Sequence, residues 1–172
     1  LMLGFDALAK SAPDATEAEP AVRLAGSTER AGAEEWFAHA LDLEDDERLE
    51  DAVRAYHRAI EMRPEYPVAH YNLGNLLRQL DRLEGAAAHF FMAAVLRPDL
   101  ADAWYNLGDV QEQLGRLDDA VASLRRAVEV NPAYAEAHWN LAVFAEALGH
   151  HTQARTSFEA YLRLDPHSEW AA

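Results

Sequence analysis

An all-α solenoid of helix-turn-helix pairs is the fold this sequence predicts, and four registers carry the prediction. Pro64, Pro98, Pro132 and Pro166 stand 34 residues apart. Twelve residues ahead of each proline comes an alanine: Ala52, Ala86, Ala120 and Ala154. Twelve ahead of those are Ala40, Gly74, Gly108 and Ala142, and four earlier again Trp36, His70, Trp104 and His138. A self-similar period of this length marks a repeat architecture, in which each unit buries its apolar face only against its neighbours.

Each repeat divides into two helices. The apolar period predicts helices over 33–46 and 49–62, 67–80 and 83–96, 101–114 and 117–130, and 135–148 and 151–164. Gly115 and Gly149 fall where the first helix of a pair must end, a position that favours a left-handed residue. Glu47 and Asp81 take that place in the other two repeats, which predicts looser turns there. The four prolines stop the second helices, because a proline inside a helix removes a hydrogen bond and clashes. Pro67 suits the first turn of the third helix, where no donor is needed. The small residues at 40, 74, 108 and 142, opposite the alanines at 52, 86, 120 and 154, let paired helices approach closely. Leu73, Leu107 and Leu141, with Tyr56, Phe90, Leu124 and Phe158, fill the remaining space. His70 and His138 share a register position with Trp36 and Trp104 and are read first as packing residues.

The ends depart from the pattern. Residues 1–32 include SAPDATEAEP and AGSTERAG and read as an N-terminal arm and linker, with the repeats at 33–66, 67–100, 101–134 and 135–168. Residues 169–172 read as the start of a truncated capping helix, which leaves Phe158, Tyr161 and Leu162 undercovered. Leu1, Met2, Leu3, Phe5 and Leu8 form a separate apolar cluster at the start.

Composition excludes several functions. The formal net charge is −15 and Lys10 is the one lysine, the reverse of the basic stripe that direct nucleic-acid binding requires. No apolar run reaches the 18 residues of a membrane span. Cysteine is absent, so disulfides, thiolate nucleophiles and cysteine-zinc sites are ruled out. Asp45-Asp46 and Asp118-Asp119 lie at helix ends or turns, where solvation and, at a helix N-terminus, dipole compensation account for them. His150-His151 sits in a turn without further ligands at helical spacing. No phosphate loop, nucleophile elbow or zinc signature is present, so neither catalysis nor a cofactor is expected. A cytoplasmic location is the expectation.

The informative chemistry lies along the first helices. The position after Trp36, His70, Trp104 and His138 gives Phe37, Tyr71, Tyr105 and Trp139, an aromatic in every repeat. The next position gives Ala38, Asn72, Asn106 and Asn140. Asparagine offers both a donor and an acceptor, so it can pair with a peptide backbone or, equally, with a neighbouring helix. Tyrosine likewise suits a contact surface or a packing role. Further along the same helices come Asn75, Arg78 and Asp109, with Glu34, Asp102 and Glu136 near the helix starts.

From Ala33 to Pro166, 134 of 172 residues, these registers resemble the tetratricopeptide repeat. The resemblance implies a right-handed solenoid whose first helices line a concave groove for extended or helical peptides. Asn72, Asn106 and Asn140 resemble the asparagine ladder in the repeats of the O-linked N-acetylglucosamine transferases. The carboxylate-clamp members, which hold acidic chaperone tails, place Lys and Arg in this groove. Here Arg78 stands alone among acids, which argues against that ligand.

The implied function is a non-catalytic interaction scaffold that takes a neutral or basic peptide, steered by its acidic groove. The groove residues expected are Phe37, Tyr71, Asn72, Asn75, Arg78, Tyr105, Asn106, Asp109, Trp139 and Asn140. The apolar start of the chain is a further candidate ligand, bound in trans to the groove or the last helix, which would give a homo-oligomer. Two alternatives stand beside this reading. The arm and repeats look like the C-terminal sensor region of bacterial MerR-type regulators. Targeting repeats of a transferase with its catalytic domain elsewhere would look the same.

Overall fold

The computed structural model describes residues 19–167. Among these residues all regular structure is helical, in eight helices: α1 (Glu19–Asp45), α2 (Leu49–Met62), α3 (Pro67–Gln79), α4 (Leu83–Leu96), α5 (Ala101–Gln113), α6 (Leu117–Val130), α7 (Ala135–Ala147) and α8 (His151–Leu164). Each helix packs against the one before it and the one after it, so the core runs continuously between neighbouring pairs. This is the all-α solenoid of helix pairs.

The second helices stop where the prolines require. Arg63, Arg97, Asn131 and Asp165 adopt φ of −142°, −138°, −125° and −127°, away from helical values. The ring of the next residue disfavours the helical region at each. Their N–H groups still bond to the carbonyls of Ala59, Ala93, Ala127 and Tyr161, closing the last turn. The carbonyls of Pro64, Pro98 and Pro132 find a partner as well. The Trp104 indole N–H donates to the Pro98 carbonyl over 3.2 Å, and His70 and His138 donate through Nε2 to Pro64 and Pro132, each over 3.1 Å. Tryptophan and histidine interchange at this position because both present a ring N–H six residues after the proline. Arg30 occupies the corresponding place ahead of Trp36, which remains 40% exposed.

The turns within the pairs differ from the expectation. Glu47 and Asp81 lie at φ of 59° and 57°, in the left-handed region with Gly115 and Gly149 at 74° and 75°. All four turns share one hydrogen-bond pattern, in which the following residue donates back across the turn: Arg48 to Leu43, Arg82 to Leu77, Arg116 to Gln111 and His150 to Ala145. This is the double closure of the Schellman motif. The turns at Glu47 and Asp81 are therefore not looser. Helix closure imposes the left-handed geometry whatever residue stands there.

The first helix also differs. It begins at Glu19, fourteen residues ahead of the start expected at residue 33 and inside the expected linker. Ala21, Ala25, Glu29, Arg30 and Ala31 are good helix formers. Extending an existing helix fixes one residue per hydrogen bond, without the cost of a new nucleus. The apolar segment at 1–8 and the cap at 169–172 lie outside the described residues.

The core follows the registers. Tyr56, Phe90 and Leu124 are fully buried, as are Leu73, Leu76 and Val110. The glycines answer to these large side chains rather than to the opposite alanines alone. A Cβ on Gly74 would lie 2.8 Å from the Phe90 ring, and one on Gly108 would lie 2.8 Å from Leu124 and 3.2 Å from the Ala120 carbonyl oxygen. Phe158, Tyr161 and Leu162 at the far end keep partial exposure. Along one edge, Arg82 forks onto Glu50 of the preceding repeat at 3.0 and 2.5 Å, and Arg116 reaches Glu84 at 2.7 Å. Both pairs are about half exposed and contribute little individually.

Three histidines meet between the first two repeats. His70 Nδ1 lies 2.9 Å from His89 Nδ1, and the His57 ring is 5.6 Å from that of His89. Because His70 uses Nε2 to donate to Pro64, its Nδ1 accepts in the neutral form and His89 donates. Burial holds both below the usual histidine range, His89 down to about 4, and the neighbouring histidines push His89 the same way.

Candidate functional site: the inner register of the first helices

The side chains singled out on α3, α5 and α7 form a ladder across repeats. The Asn106 amide donates to the Tyr71 hydroxyl over 3.1 Å, and the Asn140 amide to the Tyr105 hydroxyl over 3.3 Å. Each bond joins two first helices one repeat apart. Asn72 makes the same type of bond over 3.3 Å to Tyr56, on α2 of the preceding repeat. The Tyr56 hydroxyl in turn donates to Glu44. Burial and this carboxylate raise the Tyr56 phenol well above its ordinary range, so it stays protonated. A ladder position is thus an asparagine amide on a tyrosine oxygen, a bond that uses one of the two amide hydrogens.

At the centre the network closes on itself. Asn106 Nδ2 reaches Asn75 Oδ1 at 3.5 Å, and Asn106 Oδ1 accepts from Arg78 at 3.4 Å. Arg78 also pairs with Asp109 at 3.2 Å, and Gln113 donates to the same carboxylate at 3.0 Å. Arg78 is therefore neutralised by this chain rather than presented as a bare cation. Asn106 is 8% exposed and belongs to this network, whereas Asn72, Asn75, Asp109 and Asn140 keep intermediate exposure.

The four aromatics are half-buried and each lies against another ring. Phe37 packs beside Tyr56 and Tyr66 at centroid distances of 5.7 and 5.2 Å, and Tyr71 meets Phe90 edge-on at 5.8 Å. Tyr105 stacks on Tyr134 at 4.9 Å, and Trp139 meets Phe158 and Tyr161 at 5.5 and 5.1 Å. These rings serve packing with one part and surface with the other, as amphipathic aromatics do. Tyr66 and Tyr134 escaped the sequence reading, although both stand two residues after a repeat proline, a register that signals them.

Toward α7 the face opens into a cavity of about 290 Å³ lined by Tyr105, Glu136, Trp139, Asn140 and Tyr161. Burial first, then the charges of Asp109 and Glu136, raise the Tyr105 phenol above its ordinary range. Tyr134 is raised likewise by burial and by its hydrogen bond to Asp102. The field along this register is negative. Among the described residues no three His, Asp or Glu side chains come together as metal ligands do, and no helix is long and apolar enough to cross a membrane.

A family model described as tetratricopeptide repeat matches residues 37–101, 91–129 and 105–169. Among solved structures, the crystal structure of MamA superposes with a TM-score of 0.72 at 21% identity, over 86% of this chain and 88% of that one. MamA from residue 41 onward of Desulfovibrio magneticus RS-1 gives a TM-score of 0.68 at 20% identity, over 88% and 87%. YrrB, a tetratricopeptide repeat protein described as having an unusual peptide-binding site, gives 0.69 at 27% identity, over 76% and 68%. No curated protein sequence matches the chain.

Proposed function

The chain belongs to the tetratricopeptide repeat family, and on that premise we propose that it binds a neutral or basic peptide segment along the inner register of its first helices. A protein-interaction scaffold is the general role that the repeats support. The finer reading rests on one observation: Arg78, the basic side chain of the central network, is tied to Asp109 and Asn106, so the face offers acceptors, carboxylates and half-exposed rings. Such a surface discriminates by charge as much as by shape.

Two features support a peptide as the ligand. An aromatic recurs at each repeat, in Phe37, Tyr71, Tyr105 and Trp139, and apolar side chains of an extended segment can rest on their outer parts. Asn72 and Asn140 keep a carbonyl oxygen beyond the amide used in the ladder, which suits a backbone N–H. The apolar segment Leu1, Met2, Leu3 and Phe5 remains a candidate ligand in trans, with oligomerisation as the consequence.

The test is a panel of fluorescent peptides of equal length and graded charge, titrated against the repeats at moderate salt. Neutral and basic apolar peptides are expected to bind with Kd values around micromolar, as transient contacts do. Affinity that rises with negative charge on the peptide contradicts the proposal.

A further inference from the structure

We propose that the cavity between α5, α7 and α8 is a subsite for one arginine side chain of the partner, its guanidinium lying against the aromatic walls and forked onto Glu136 and Asn140. The inference rests on the peptide-binding reading above and names one anchor within it.

Size, walls and polar groups agree. A cavity of about 290 Å³ lies at the lower limit for small-molecule pockets and suits a side chain better than a free metabolite. Trp139 and Tyr161 stand 5.1 Å apart with their planes at 57°, which makes two walls of a corner, and Tyr105 supplies a third. Aromatic faces attract cations, and indole does so most strongly.

The polar groups then select among cations. The Asn140 amide gives one of its two hydrogens to the Tyr105 hydroxyl, and the Tyr161 hydroxyl donates to Asp165 over 3.4 Å. Asn140 keeps its carbonyl oxygen and one amide hydrogen, and Glu136 keeps both carboxylate oxygens, so acceptors predominate and the lining favours a donor-rich ligand. Guanidinium carries five N–H donors and no acceptor, stacks flat on a ring, and matches a carboxylate with a planar fork. An ammonium offers a point charge without the plane. An acidic side chain would meet Glu136 directly and Asp109 beyond it, the two carboxylates whose field already reaches Tyr105.

The experiment is an NMR titration with N-acetyl-arginine-N-methylamide, its uncharged citrulline isostere and the lysine analogue, following the indole N–H of Trp139 and the Tyr161 ring. Saturable shifts with the arginine compound, at least fivefold weaker binding of citrulline, and weaker binding of lysine are expected. Glu136→Gln lies on an exposed position and is expected to lower arginine affinity five- to tenfold without changing the fold. Trp139→Leu should abolish the response at the Tyr161 ring. Equal binding of citrulline or lysine, unchanged affinity in Glu136→Gln, or no saturable shift at Trp139 overturns the subsite. The two readings fail separately: peptides that shift Tyr71 and Asn72 while arginine leaves Trp139 unmoved retire the subsite alone, whereas a panel that never touches the inner register retires the groove.

Discussion

The amide of Asn106 donates to the hydroxyl of Tyr71 across 3.1 Å, and this bond links two first helices through residues 35 apart in sequence. The side chains expected to receive a ligand therefore also hold the repeats together. Asn106 is the most committed of them: it gives to Tyr71 and Asn75 and accepts from Arg78. A double-mutant cycle of Asn106→Ala with Tyr71→Phe is expected to show a coupling of about 0.5–1.5 kcal/mol in urea unfolding, the net worth of a partly buried hydrogen bond. Additive effects of the two substitutions would mean that the pair contributes nothing to repeat coupling.

Glu47 and Asp81 occupy left-handed backbone that glycine fills in the two later repeats. Relieving that conformation is expected to raise stability by about 1 kcal/mol in Glu47→Gly, less the entropy glycine adds to the unfolded chain. Asp81→Gly should gain less, because aspartate tolerates this region better than glutamate. Thermal unfolding of the two variants checks both the sign and the order. The reciprocal change Gly115→Ala should lower stability by a similar amount.

Protonation of the histidine cluster gives a pH dependence with a definite sign. The folded state holds His89 at about 4, while an unfolded histidine titrates near 6.5. Between those values the unfolded chain takes up the proton and the folded chain does not, so stability falls as pH drops from about 6.5 toward 4. His70, also lowered by burial, adds to the same trend, and the groups facing His89 in the cluster are His70 and His57. The loss is on the order of 2 kcal/mol, given that the cluster is partly accessible. Urea midpoints at pH 7 and pH 4.5 measure it. In His89→Gln the difference between the two should shrink, and an unchanged difference would assign the trend to other groups.

Truncation of Tyr71 or Tyr105 to alanine would remove core packing along with surface, since Tyr71 rests on Phe90 and Tyr105 on Tyr134. Tyr105→Phe separates the roles. It keeps the ring against Tyr134 and removes the oxygen that Asn140 uses. The variant is expected to lose about 1 kcal/mol of stability while retaining peptide affinity within twofold. A large fall in affinity at unchanged stability would assign the hydroxyl to the ligand.

Much of this was legible because the repeat period fixes position independently of contact. The bounds of α2, α4, α6 and α8 coincide to the residue with those read from the apolar period, since prolines and buried alanines mark both ends. The early start of α1 was not legible: Ala- and Glu-rich segments without an apolar stripe read equally as linker, and only continuity with a packed helix decides. The left-handed Glu47 and Asp81 were missed for a similar reason, because closure of the turn overrides residue preference. At the site, the sequence indicated that Tyr71 and Asn106 share a face but not that they touch. Nor did it indicate that Arg78 is consumed by Asp109, because both depend on how far side chains reach between neighbouring repeats.

The central claim is that the inner register is the docking surface and that it favours neutral or basic segments. A rival surface exists on α4, where Phe91, Met92 and Val95 are exposed at 50%, 37% and 49%. The most direct measurement is to select peptides from a random display library against residues 19–172 and map one selected peptide by backbone chemical shifts. The account predicts peptides of zero or positive net charge, with the largest shifts at Asn72, Tyr105 and Asn140. Enrichment of acidic peptides, or shifts centred on Phe91 and Val95, would contradict it.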